Sequence, residues 1–163
     1  MRMRRSAASG ALSEERGGAP GTDSGRFLAA GAARACWLRT ATGRLGEALP
    51  RLRRLVTESA HTIVESNSQL QFLKPDLCLM VVDGSIADFK ATSLRFLDRA
   101  DALVVTSPAA LGWPGVAAGL IAGKRRFEAL APEYRSDEIL HAIRLKNRAV
   151  PADIQHSRRR LKK

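Results

Sequence analysis

Three short polar runs carry the side chains best suited to chemistry: Glu65-Ser66-Asn67-Ser68, Asp83-Gly84-Ser85 and Thr106-Ser107-Pro108. Each follows directly on an apolar or β-branched run: His61-Thr62-Ile63-Val64, Leu77-Cys78-Leu79-Met80-Val81-Val82 and Ala102-Leu103-Val104-Val105. A carboxylate just past a buried strand is where phosphate-binding folds hold Mg²⁺, directly or through a water. Small hydroxyl and amide side chains beside it can donate to phosphate oxygens. The same residue types also end strands for local reasons, because Ser, Asn, Asp and Gly satisfy turn backbones. Glu65 differs, since glutamate is a poor turn former, and its position points to a ligand or to Mg²⁺.

Other chemistries find less support. The histidines His61, His141 and His156 are scattered, and no Ser/His/Asp or Cys/His set suggests a nucleophile. Cys36 and Cys78 lie far apart without metal spacing and read as buried free thiols of a reducing compartment. No G-x-x-x-x-G-K-[ST] loop occurs, and no G-x-G-x-x-G follows a strand. Lys90, on the segment after Asp83, is the best-placed cation for a phosphate.

The elements that would position these residues alternate along the chain. Thr22 or Asp23 can cap a short helix that ends at Gly31, because a short oxygen side chain accepts the orphan N–H groups of a first turn. Residues 35–38 read as a strand. Leu45, Leu49, Leu52, Leu55 and Val56 recur at helical spacing with arginines opposite, and Pro50 starts or kinks that helix. Further helices are expected over 88–100, 116–121 and after Ser136, with a strand at 127–130. Five strands separated by helices, three of them apolar on both faces, predict an α/β fold: a parallel sheet between two helical layers.

The chain has 163 residues and a formal charge of +11. Arg2, Arg4, Arg5, Arg158, Arg159, Arg160, Lys162 and Lys163 supply eight of its 27 cations, so the body is close to balanced. The expected organisation is a disordered, basic and Gly-rich segment over 1–21, an α/β domain over 22–150 and a basic tail over 151–163. No apolar run approaches the ~20 residues that span a bilayer, and no apolar stretch follows the N-terminal arginines as in a secretory signal. A cytoplasmic protein is the expectation.

Thr22-Asp23-Ser24-Gly25-Arg26 followed by Ala29-Ala30-Gly31-Ala32 resembles the D-[ST]-x-R and A-G-A segments of the molybdopterin-guanine dinucleotide biosynthesis adapter family. Ile63 to Ser68 looks like that family's V-E-G strand end, with Ser66 in place of the glycine. Pro75 to Asp83 and Arg99 to Val105 resemble the core strands that follow. The resemblance spans about residues 22–146 and implies a P-loop NTPase-like core that binds a purine nucleotide, GTP, with Mg²⁺. It implies that Asp23 and Arg26 line the phosphate region or a partner surface, with Ser66, Asn67, Asp83 and Lys90 on the nucleotide side. Glu65 would be the carboxylate facing Mg²⁺. The Walker A unit and the N-K-x-D motif of the family are absent from this sequence, so the expectation is a core truncated at its N-terminus or degenerate, with NTPase activity in doubt.

Two further readings remain open at the level of sequence. The terminal arginines could bind nucleic acid without sequence preference, although aromatics for stacking make up only 5% of the chain. The chain could also be a homo-oligomer, or a subunit whose sheet a partner completes.

Overall fold

The computed structural model describes residues 11–15 and 21–148. The chain divides into two compact units, one up to Val64 and one from Glu65 onward. The single domain expected over 22–150 is therefore split between them. Residues 60–64 belong to no helix or strand, so no sheet ladder runs through the junction.

The first unit contains strand β1 (Ala11–Glu14), helix α1 (Asp23–Ala29), strand β2 (Cys36–Arg39) and helix α2 (Leu45–Glu58). β1 and β2 pair antiparallel, with Leu12 opposite Leu38 and Ser13 opposite Trp37. A strand at 11–14 departs from the expectation of a disordered start, and Arg34 supplies a physical reason. Its Nε and Nη2 grip both carboxylate oxygens of Glu14 at 3.1 and 3.0 Å, a fork geometry that fixes the strand end. Among the described residues β2 has β1 as its sole strand neighbour, and Cys36 is exposed rather than buried.

Thr22, not Asp23, caps α1, its Oγ1 accepting from the Gly25 N–H at 3.1 Å. Ser24 then ties the helix to the hairpin. Its hydroxyl accepts from the Trp37 indole N–H at 2.9 Å and donates to Glu15 at 3.1 Å. α2 begins five residues before Pro50 and runs through it. The ring removes one helical donor, and the buried stripe of Ala48 and Leu52 holds the helix in place.

The second unit opens on a 3₁₀ turn (Ser68–Gln71). It continues through β3 (Leu79–Val82), α3 (Ala91–Leu94), a 3₁₀ turn (Leu97–Arg99), β4 (Ala102–Val105), α4 (Ala118–Ala122), β5 (Arg125–Glu128) and α5 (Asp137–Arg148). The strands form a parallel sheet in the order β3-β4-β5, which makes this an α/β unit. β4 is buried along its whole length, as its apolar run requires. On one face Met80, Val82, Leu103 and Val105 pack with Leu97, Ala100, Trp113 and Ile121, and the partly buried Phe89 and Leu120 close over them.

Three elements differ from their sequence reading. His61–Val64 is no strand: Ile63 is 82% exposed, and no described strand pairs with the run. The expected helix over 88–100 is cut to four residues and a 3₁₀ turn, with the Phe96 backbone leaving helical geometry between them. β5 lies two residues upstream of the apolar stretch 127–130. The run that pairs with β4 includes Arg125, whose guanidinium stacks 4.5 Å over Phe127.

Substituting Ser24→Ala leaves the Trp37 indole N–H without its acceptor. The first unit should lose about 1–3 kcal/mol, read by urea denaturation followed by circular dichroism. Unchanged stability would mean that water replaces the hydroxyl there.

Candidate functional site

In an open parallel sheet, ligands bind beyond the carboxyl ends of the strands. Here that mouth is made by the ends of β3 and β4. Two main-chain bonds flank β4 and carry the ladders to their last residues: Thr106 N–H donates to the Val82 carbonyl at 3.1 Å, and Ala129 N–H donates to the Val105 carbonyl at 2.9 Å. Thr106 adds its hydroxyl to the Val82 carbonyl at 3.2 Å. Asp83 is thereby set directly beside Thr106 and Ser107.

Asp83 is held ionised by its neighbours. Its Oδ1 accepts from the Ser85 hydroxyl at 2.6 Å and from the Ser85 N–H at 2.9 Å. The Ser85 hydroxyl, then Ser107, then the Ser85 N–H hold the carboxyl below the usual range, with no cation contributing. Ser107 Oγ is buried and completes no hydrogen bond of ordinary geometry. Its pull on Asp83 is therefore read as electrostatic rather than as a formed bond.

The two strand-end loops are locked against each other. A Cβ on Gly84 would lie 2.6 Å from the carbonyl oxygen of Ala109 and 2.7 Å from that of Ala110, so only glycine fits. Trp113, from the loop after β4, donates its indole N–H to the Ile86 carbonyl at 2.7 Å and packs on Phe89 with ring centres 4.8 Å apart. The mouth is therefore a rigid, open rim rather than an enclosed cavity. Two clefts lie instead along β5. One of about 250 Å³ is lined by Leu111, Trp113, Ile121 and Arg126, and one of about 420 Å³ by Arg126, Glu128, Asp137 and Glu138. Asp83 lines neither.

The other residues singled out from sequence are spread more widely. Asp23 and Arg26 belong to the first unit, where they form an exposed i,i+3 pair at 3.7 Å on α1. Such a pair contributes about 0.2–0.5 kcal/mol and needs no ligand to explain it. Glu65 and Ser66 are exposed and follow a segment that belongs to no strand, so the strand-end premise for Glu65 as an Mg²⁺ carboxylate fails. Asn67 donates its amide to the Ser93 hydroxyl at 3.0 Å, bracing the segment before β3 against α3. Lys90 is exposed at the residue preceding α3, where its carbonyl accepts from the Ser93 and Leu94 N–H groups. The basic clusters at 2–5 and 158–163 lie outside the described residues.

Oxygen ligands and an ionised carboxylate suit a hard cation. Among the described residues no three His, Cys, Asp or Glu side chains gather as a metal cage. Mg²⁺ does not require one, because it keeps waters and binds through one or two carboxylates together with substrate phosphates. The Asp83 rim fits that description: a single ionised carboxylate, with both bonds from Ser85 on Oδ1. Among the described residues no helix is long and apolar enough to cross a membrane.

Comparison with protein-family models, with curated proteins and with solved structures yields no match for this chain.

Two substitutions probe the rim. Gly84→Ala drives a methyl group into the Ala109 and Ala110 carbonyls and should cost about 1–3 kcal/mol in thermal or urea unfolding. Ser85→Ala removes the largest influence on Asp83, so its titration midpoint should rise toward the ordinary ~3.9. The depressed native pKa contributes stability that is present above the unfolded value and lost as pH falls through the native one. Ser85→Ala should therefore flatten the acid end of the stability curve. Carboxyl ¹³C NMR titration reads the midpoint directly.

Proposed function

We propose that the second unit binds the phosphates of a purine nucleotide, with Mg²⁺, at the carboxyl ends of β3 and β4. The observation that carries this reading is the Asp83 rim: an ionised carboxylate directly past a parallel strand, flanked by Ser85, Thr106 and Ser107 on loops that cannot spread. Asp83 would hold the cation, through Oδ2 or a bound water, and the cation would neutralise phosphate charge. The Ser85 hydroxyl would turn from Asp83 to a phosphate oxygen, an exchange of one acceptor for another, and the Ser107 hydroxyl beside it would donate to the same phosphate. Ser107 is the readier of the two, since its hydroxyl forms no bond at rest.

The resemblance in sequence extends the reading. By that resemblance the unit would belong to a P-loop NTPase-like core without a recognisable Walker A motif, and the ligand would be a guanine nucleotide used in molybdenum-cofactor assembly. Asp83 and the three hydroxyls give a binding role, and no side chain is assigned to turnover. Lys90, exposed at the start of α3, would add a mobile positive charge to the outer phosphate.

Thermal unfolding with nucleotide tests the proposal. A ligand selective for the native state, present at about 100 times its Kd, stabilises it by ~2.7 kcal/mol. Mg²⁺ with GTP at about 1 mM should raise the Tm of the full chain, ATP should do so less, and Asp83→Asn should remove the Mg²⁺-dependent part. Absence of any shift with either nucleotide would sink the reading.

A further inference from the structure

The two edges of the parallel sheet are built differently. β5 carries Arg125, Arg126 and Glu128, all exposed, and charge along an edge strand discourages pairing with another chain. β3 carries none of this protection. Cys78-Leu79-Met80-Val81-Val82 is five residues without charge, Pro or Gly. Within it Val81 is 68% exposed, while its register partners on the same face, Val104 and Phe127, are 8% and 1% exposed.

Backbone directions sharpen the contrast. The N–H and C=O of one strand residue point to the same side, and successive residues alternate. The Cys78 carbonyl accepts from the Asp101 and Ala102 N–H groups and the Val82 carbonyl from Thr106, so these residues face β4. Leu79 and Val81 therefore aim two donors and two acceptors at the open edge. An exposed apolar edge that displays unpaired main-chain groups is a template for another strand.

We propose that β3 pairs with the β3 of a second copy of this chain, antiparallel about a two-fold axis at Met80. Directly opposed residues of an antiparallel pair share a face, so the self-pairing must centre on one residue. Centred on Met80, Leu79 of each copy opposes Val81 of the other, and each such pair exchanges two hydrogen bonds. All four displayed groups on each copy are then satisfied. Each exposed Val81 is covered by a leucine, and Cys78 meets Val82, so no charge enters the paired segment. Centring on Val81 instead would set Asp83 against Leu79 and strip water from an ionised carboxylate, which is costly. The product is a continuous six-stranded sheet whose two outer edges are the charged β5 strands. This pairing rests on β3 and stands apart from the nucleotide reading.

Sedimentation equilibrium on the full chain decides the matter. Paired short strands bury area at the low end of stable interfaces, so a monomer–dimer equilibrium is expected between about 1 and 200 μM. Val81→Lys should weaken it at least about tenfold, and Glu128→Ala on the β5 edge should leave it unchanged. If Val81→Lys lowers the Tm, Val81→Thr serves in its place and should weaken pairing by about threefold with its fold intact. A monomer throughout the range would overturn the proposal. So would assemblies that keep growing past the dimer, or a Val81 variant that folds and dimerises as tightly as the parent.

Discussion

The backbone of Ala102–Val105 can send its hydrogen bonds only into the strands on either side. All four residues are buried, and an unpaired amide or carbonyl there would cost as much as a lost hydrogen bond. β3 and β5 are therefore obligatory companions, and both must run parallel to β4 because helices and turns return the chain between them. The parallel register then decides where polar residues fall. Asp83 and Thr106-Ser107 end side by side because Val82 and Val105 are register partners. The candidate site follows from the pairing that keeps β4 dry.

Rigidity at that rim comes from close approach. The Gly84 backbone touches the Ala109–Ala110 carbonyls, and Trp113 reaches back to Ile86 across the same gap. Below it, Asp101 accepts from the Cys78 N–H at 2.7 Å, and the Lys124 ammonium caps the Ala100 carbonyl at 2.7 Å. These contacts fix both ends of the β3–β4 pair. Burial and Asp101 together push the Cys78 thiol up, which keeps it protonated and unreactive.

Much of this was legible in the sequence. Apolar runs on both faces marked β3 and β4, and a carboxylate directly after Val82 marked Asp83. Gly84 and Ser107 were visible only as turn formers, because their roles depend on a loop more than twenty residues away. Glu65 misled, since a β-branched tetrapeptide reads as a strand whether or not a neighbour exists to pair with it. β1 was missed for the converse reason: Ala11–Glu14 has no β signature of its own and is held by Arg34 and by the ladder to β2. Pro50 and the cut helix at Phe96 show packing overriding local propensity. The free thiol of Cys36 reached the surface because a two-stranded ribbon has too little around it to cover both faces.

Each unit owns one tryptophan, and the two indoles live in unlike surroundings. Trp37 is 40% exposed on a ribbon, beneath the Arg39 guanidinium at 5.9 Å, whereas Trp113 is 7% exposed inside an apolar core. The chain contains no third. Its ultraviolet emission is thus a sum of a red-shifted, quencher-accessible component and a blue-shifted, shielded one. Melting of the two halves can be followed as two colours of light from an unlabelled protein.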